Sequence, residues 1–134
     1  MSEGFQLTIM TPEKILFKGG VLKLNLKNYR GRFQILHNHI SMITLVEPHI
    51  TELETEEGEL KKIFTSKGIV KVKKNNVMFL CESGELEEEI DFNRADEAKR
   101  RAEERLKGIN RDNIDTKRAE YALLRALTRL SLRS

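Results

Sequence analysis

Apolar residues recur every second position in the first two thirds of the chain and every third or fourth in the last third. That change predicts a β-plus-α fold, an N-terminal β-sandwich of about ten short strands followed by a C-terminal antiparallel two-helix hairpin. The junction is marked by an acidic stretch from Glu85 to Asp91, after which alanine and arginine dominate.

The alternation begins with Phe5, Leu7 and Ile9, is interrupted at Pro12, and resumes with Leu22, Leu24 and Leu26. Gly19 with Gly20, Asn28, Gly31, Gly58, Gly68 and the pair Asn75 and Asn76 occupy turn positions, so short strands succeed one another to about Cys81. Such spacing predicts a sandwich or barrel. Beyond the connector, Ala95, Ala98, Ala102 and Leu106 form the stripe of a first helix, which Gly108 ends. Asp112 caps the next, and Ala119, Ala122, Leu123, Ala126, Leu127 and Leu130 lay a second stripe. The expected domains are 1–86 and 87–134, with the acidic connector the one hinge candidate. No long repeat, low-complexity tract or Pro-rich linker interrupts them.

The 134 residues suffice for one domain with an appendage, and 39% hydrophobic against 34% charged residues excludes disorder throughout. A formal charge of +3 is too small to signal a nucleic-acid binder by itself. Cys81 is the only cysteine, which fits a reducing compartment and a packing role. Residues 1–10 hold no basic cluster, and no apolar run approaches the roughly 18 to 20 residues of a membrane span. A cytosolic chain is expected, unless a partner holds it at a membrane.

The arginines carry the case for function. Asp91 stands where a helix cap is favoured, whereas Arg94 falls within the first turn, where the helix dipole disfavours a cation. Something anionic should compensate. At about 100° per residue, Arg94, Arg101 and Arg105 lie within roughly 40° of one another, and Arg118, Arg125 and Arg129 repeat those offsets on the second helix. Arg101 has Glu97 four residues before it, an ordinary solvated pair. Arg125 and Arg129 have no acid three or four residues away. They call for an outside anion or bulk water. Solvated surface arginines and a site for phosphate or acidic side chains fit the spacing equally well, since arginine's planar fork recognises both anions.

Other constellations point to less. His37, His39 and His49 lack the clustered fourth ligand of a zinc site, so loop histidines and no metal are expected. Glu85, Glu87, Glu88, Glu89 and Asp91 read as a solvated charge run and not as a catalytic pair. Ser66 and Ser83 carry no nucleophile signature, and no glycine-rich phosphate loop with its lysine occurs. No catalytic residue is expected. If ATP binds, it is not hydrolysed here.

Taken together, the residues resemble the epsilon subunit of bacterial F-type ATP synthases along the whole chain. The N-terminal likeness rests on Thr11, Pro12 and Glu13, then Gly31, Phe33, Ile35, Leu36 and His39. The C-terminal one rests on Ile90, Asp91, Arg94 and Ala95, and on Arg118, Ala119, Ala122, Arg125, Ala126, Arg129 and Leu130. The resemblance implies a ten-stranded sandwich on the central-stalk rotor, in contact with the gamma subunit and the ring of c subunits. It also implies a hairpin that folds down or extends into the alpha and beta catalytic subunits to block ATP hydrolysis, ATP favouring the folded form.

Carried over residue by residue, the implied ATP site is Glu85, Ile90, Asp91, Arg94, Ala95, Arg101, Arg125 and Arg129. Arg118, Arg125 and Arg129 would meet the beta subunit in the extended state. Asp91 and the Ile90 backbone are assigned to the adenine edge, with Ala95 leaving room for the ring. The implied setting is the cytoplasmic face of the bacterial membrane, held there only through the complex. His37 and Asn38 replace a Pro-Gly pair, His49 stands where glycine is usual, and Lys67 replaces the first of two glycines; Asn38 tolerates a positive φ well, whereas Lys67 and His49 do so less readily, so those turns are expected to differ locally. The competing readings are a structural rotor subunit without ATP sensing, a basic-hairpin nucleic-acid module, and an amphipathic helix on a membrane. The last lacks Trp or Phe anchors on the second helix.

Overall fold

The computed structural model describes residues 3–108 and 113–133 and divides the chain into two units, Met1–Glu88 and Glu89–Ser134. Among the described residues the first unit holds nine strands: β1 (Phe5–Met10), β2 (Ile15–Asn28), β3 (Gly31–Ile35), β4 (Met42–Val46), β5 (His49–Thr55), β6 (Leu60–Thr65), β7 (Gly68–Lys73), β8 (Asn76–Cys81) and β9 (Gly84–Leu86). They pair in the order β4-β7-β8-β1-β2-β5-β6-β9, with β3 also on β2.

β2 belongs to both layers of the sandwich. β1 pairs with its first stretch, from Ile15 to Val21, while β3 and β5 pair with opposite edges of its second stretch. It is also the element that the sequence misreads, because Gly19 and Gly20 lie inside the strand and not at a turn. A Cβ on Gly20 would overlap the Glu56 carboxylate, so glycine here admits a close approach. Just beyond, a register shift between Val21 and Lys23 changes the inward phase. Val21, Leu24 and Leu26 are therefore buried and Leu22 only half-buried, which breaks the expected alternation of Leu22, Leu24 and Leu26.

Turns follow local backbone chemistry. Gly31 (φ 123°) and Gly58 (φ 86°) take left-handed conformations that a β-carbon disfavours. The β7–β8 hairpin turns on Lys74 (φ 49°) and Asn75 (φ 59°), one residue earlier than expected, with the two successive positive φ angles of a type I′ turn. Asn38 takes φ 63°, as its short amide side chain tolerates, whereas neither Lys67 nor His49 needs a positive φ. Gly68 is the exacting member of the Lys67–Gly68 pair: a Cβ there would overlap the Leu80 carbonyl oxygen.

The core between the layers contains Leu7, Ile9, Leu24, Leu26, Ile35, Leu53, Ile63, Val70, Val77 and Phe79, all essentially without solvent contact. One end of it is polar. His49 is a buried β5 residue and not a loop histidine. Its Nδ1 donates to the Glu47 carbonyl (2.5 Å), its Nε2 accepts from Thr51 Oγ1 (2.9 Å), and Thr51 Oγ1 meets Thr65 Oγ1 at 2.8 Å. The imidazole stacks on Phe79, with ring centroids 6.2 Å apart.

Burial pushes the His49 imidazole down to about 4; the Glu47 carbonyl pulls it upward, and the Arg32 and Lys27 charges add to the fall. An unfolded histidine titrates at 6.5, so between pH 6.5 and 4 the unfolded chain binds more protons than the folded one. The resulting stability is complete above pH 6.5 and is lost as pH falls toward 4. Going from pH 8 to pH 5 should remove about 2 kcal/mol through this group. Urea denaturation of the intact chain and of His49→Gln at both pH values checks this: the variant should lose that part of the pH dependence. An unchanged slope would contradict it.

The second unit contains α1 (Phe92–Lys107) and α2 (Asn113–Leu130). The acidic connector is more structured than expected. Gly84–Leu86 is strand β9, paired with β6 from Ile63 to Thr65, and Glu87–Glu89 forms a 3-10 turn. Gly108 ends α1 with an extended backbone (φ −64°, ψ 155°), its N–H donating to the Arg105 carbonyl. The proposed Asp112 cap lies outside the described residues.

α1 packs along α2 through small residues: Ala95 and Ala102 on one helix and Ala119 and Ala126 on the other are buried. Ala98, Leu106, Ala122, Leu123 and Leu130 are half-buried beside them, but Leu127 is exposed, 80° off the line through Ala119 and Ala126.

Candidate nucleotide site on the helical hairpin

Asp91 adopts the extended backbone of an N-cap (φ −92°, ψ 100°), and its Oδ1 accepts from the backbone N–H of Asn93 (3.0 Å) and Arg94 (3.1 Å). The cap expected from sequence is therefore formed, and Arg94 is the third residue of the helix. Both bonds end on Oδ1, so Oδ2 takes no part in capping. Ile90 is buried immediately before the cap.

The two arginine stripes lie on one flank of the hairpin. With the Ala95–Ala102 line as reference, Arg94, Arg101 and Arg105 sit about 100° to one side, and Arg118, Arg125 and Arg129 sit at the same angle, in the same sense, from the Ala119–Ala126 line. Helices packed antiparallel are related by a two-fold axis perpendicular to both, which leaves an off-centre stripe on the same side of the pair. In a parallel pair the same offsets would face opposite ways. The antiparallel sense is fixed by Arg133, just past α2, whose side chain reaches Phe92 and Asp96 at the start of α1.

Arg94, Arg101, Arg105 and Arg118 are exposed, and Arg125 and Arg129 are half-buried. No ion pair among the described residues joins Arg94, Arg101 or Arg125 to an acid, so the expected Glu97–Arg101 pair is not formed. Ala95 is buried in the helical unit, which makes its methyl a packing group as well as a small neighbour of the cap. Glu85 differs from the other seven residues: it lies on β9, in the first unit.

The remaining candidates are dispersed. His37 Nδ1 donates to the Gly4 carbonyl (2.9 Å) and its Nε2 faces Glu3 at 2.8 Å, while His39 Nδ1 meets the Ile40 carbonyl at 2.8 Å. Among the described residues no three of His, Cys, Asp or Glu gather as a metal site would require. Cys81 is buried, and that burial raises its thiol to about 11. No described helix is long and apolar enough to cross a membrane.

Two surfaces of the sandwich were not singled out from sequence. On the outer face of β4, β7 and β8, the exposed residues Leu45, Ile69 and Leu80 form a continuous apolar row, since Leu45 pairs with Ile69 and Ile69 with Leu80, while exposed Ile43 and Met78 stand on either side of Lys71 in the next row. Their strict alternation with Val46, Val70, Val72, Val77 and Phe79 was the available signal. At the β2–β3 tip, Lys27, Arg30 and Arg32 surround the exposed Tyr29, with the Arg30 guanidinium 5.6 Å from its ring centroid.

Comparison with known proteins agrees with this architecture. A family model described as the β-sandwich domain of the ATP synthase delta/epsilon chain matches residues 4–87, and one described as its long α-helix domain matches residues 88–132. The chain is 48% identical over 132 residues to an ATP synthase epsilon chain of Clostridium novyi, covering 98% of this chain and 99% of that one. It is 42% identical over 132 residues to one from Clostridium kluyveri, covering 98% of each.

Among solved structures, a chain of the Euglena gracilis mitochondrial ATP synthase superposes with a TM-score of 0.77 at 21% identity, over 90% of this chain and 76% of that one. A chain from the central stalk and c-ring of the Tetrahymena thermophila enzyme does so with a TM-score of 0.63 at 13% identity, over 96% of each. These two likenesses concern the fold. With both family models matched end to end and relatives this similar along their full length, the chain belongs to the ATP synthase delta/epsilon chain family.

Proposed function

We propose that this chain is a central-stalk rotor subunit of an F-type ATP synthase, and that its hairpin inhibits ATP hydrolysis unless ATP holds it folded. It would couple ion flow through the c-ring to ATP synthesis without catalysing a step itself. The observation that carries the regulatory part is the single basic flank formed by two arginine stripes beside the Asp91 cap.

Arg94, Arg101, Arg125 and Arg129 would bind the phosphates in the closed hairpin, because guanidinium groups from both helices reach one anion only when the helices lie side by side. Asp91 Oδ2 would accept from the adenine amine, and the Ile90 backbone would complete the adenine edge. Glu85 belongs to the proposed set by family motif alone. In the extended state Arg118, Arg125 and Arg129 would pair with acidic side chains of the beta subunit. One flank would then serve two exclusive partners.

The alanine interface explains why such a switch is possible. Four buried methyl-bearing residues contribute only a few kcal/mol, at about 0.8 kcal/mol per buried methylene-sized group. A ligand at a hundred times its dissociation constant adds about 2.7 kcal/mol to the state that binds it, which is comparable. For the rotor role, the apolar row of β4, β7 and β8 supports docking on the gamma subunit, since contiguous exposed apolar surface marks a protein interface. The basic β2–β3 tip suits an anionic surface elsewhere in the stalk or ring.

The test is calorimetric titration of the intact chain with ATP, repeated on Arg94→Ala. Saturable heat is expected for the native chain, with affinity at least about tenfold weaker in the variant, as for one charge-assisted hydrogen bond lost. Absence of heat from the native chain would remove the nucleotide site and leave the rotor role.

A further inference from the structure

Arg133 lies beyond the last turn of α2, outside every residue assigned above, and makes three contacts to the opposite helix. Its Nη2 donates one hydrogen to the Phe92 carbonyl (3.2 Å) and one to Asp96 Oδ2 (2.6 Å). Its guanidinium carbon lies 5.4 Å from the centroid of the Phe92 ring. An amino group carries two hydrogens, so both bonds are satisfied at once, and the guanidinium carbon lies over the ring within the reach of a cation–π pair.

We propose that Arg133 is a latch that closes the open end of the hairpin by clamping the C-terminal end of α2 onto the first turn of α1. Three features of the fold make one residue sufficient. The fully buried residues of the interface below the latch are four alanines, with leucines only half-buried beside them, so modest apolar area opposes separation. The latch acts at the end remote from the α1–α2 connection, where an opening motion has its greatest amplitude and a contact its greatest leverage. Its anchor is the turn capped by Asp91, so Arg133 grips the rigid segment that also carries Arg94.

The chemistry also makes the latch releasable. Arg133 and Asp96 are both partly exposed, with 46% and 40% of their side chains accessible, so water competes for each group. An anionic partner in the extended state would compete for the same guanidinium. Lysine would not replace it, because a point charge cannot stack flat on Phe92. Phe92 is a half-buried aromatic at the first helical position, where neither capping nor the alanine stripe calls for one. The latch supplies its purpose.

The functional consequence rests on the reading that the closed hairpin is the nucleotide-binding form, and two separate readouts keep latch and site apart. Spin labels at Glu97→Cys and Ser131→Cys in the full chain report the helix separation without nucleotide; Cys81 stays unlabelled because it is buried. Arg133→Ala and Asp96→Asn should each lengthen and broaden that distance, Arg133→Lys should recover little of it, and Arg133→Ala should weaken ATP binding about five- to tenfold. Saturating ATP should restore the short distance in the variant.

A distance distribution unchanged by both Arg133→Ala and Asp96→Asn overturns the latch, whatever the ATP affinity. A distance that lengthens in a chain that takes up no ATP supports the latch and removes the nucleotide site alone.

Discussion

Replacing Arg125 and Arg129 together with alanine will weaken ATP binding to the intact chain by at least about a hundredfold. Each guanidinium–phosphate contact is a charge-assisted hydrogen bond worth about 1.5–3 kcal/mol, and losing two of them on neighbouring turns of α2 removes at least about 3 kcal/mol. The helical fold should survive, because neither residue lies on the Ala119–Ala126 line through which α2 packs. Circular dichroism and titration calorimetry on the same sample separate the two effects. Retained affinity would take α2 out of the nucleotide site. Retained inhibition of ATP hydrolysis in the reassembled synthase would take both arginines out of the beta-subunit contact as well.

The second large effect belongs to the sandwich. Phe79→Ala should cost about 3–5 kcal/mol of stability, since Phe79 is wholly buried between the layers and its removal leaves a cavity that β-strands cannot close. The same substitution removes the ring stacked on His49. Water entering the space would relieve the burial that depresses the imidazole, so its pKa should rise toward 6.5 and the acid-dependent part of the stability should shrink. Urea denaturation at pH 8 gives the first quantity, and NMR titration of the imidazole gives the second. A near-neutral stability change would mean that the layers collapse onto the gap. A full cost with an unmoved imidazole would mean that burial by other residues sets its pKa.

How far the fold could be read from sequence depended on which interactions are local. Helix phase, the Asp91 cap and the turn residues Gly31, Gly58 and Asn38 are decided by neighbours a few positions away, and each was legible. The long strand β2 was not, because Gly19 and Gly20 look like a turn until Glu56, far along the chain, is seen to press against Gly20. The register shift after Val21 had the same origin: it suits the crossing of β2 between layers, a tertiary demand. β9 was hidden in an acidic run because its partner β6 supplies the pairing that its own composition disfavours. His49 read as a loop residue for want of Thr51, Thr65 and Phe79, which surround it only after folding.

For the candidate site the limits were different. Spacing gave two stripes of arginine with equal offsets on an antiparallel hairpin, but their common flank follows only once the Ala95–Ala102 and Ala119–Ala126 lines are known to be the packed faces. Arg133 was not singled out from sequence, since nothing local marks Asp96 and Phe92 as its partners, 37 and 41 positions away. The glycine replaced by Lys67 proved dispensable and Gly68 did not, a distinction set by the Leu80 carbonyl across the β7–β8 pair.

Hydrogen exchange of the helical unit, with and without saturating ATP, tests most directly whether nucleotide closes the hairpin. The amides of α1 and α2 should slow together on adding ATP, while those of the sandwich core strands stay as they were. ATP that binds by calorimetry yet leaves both helices exchanging at the nucleotide-free rate would contradict the account.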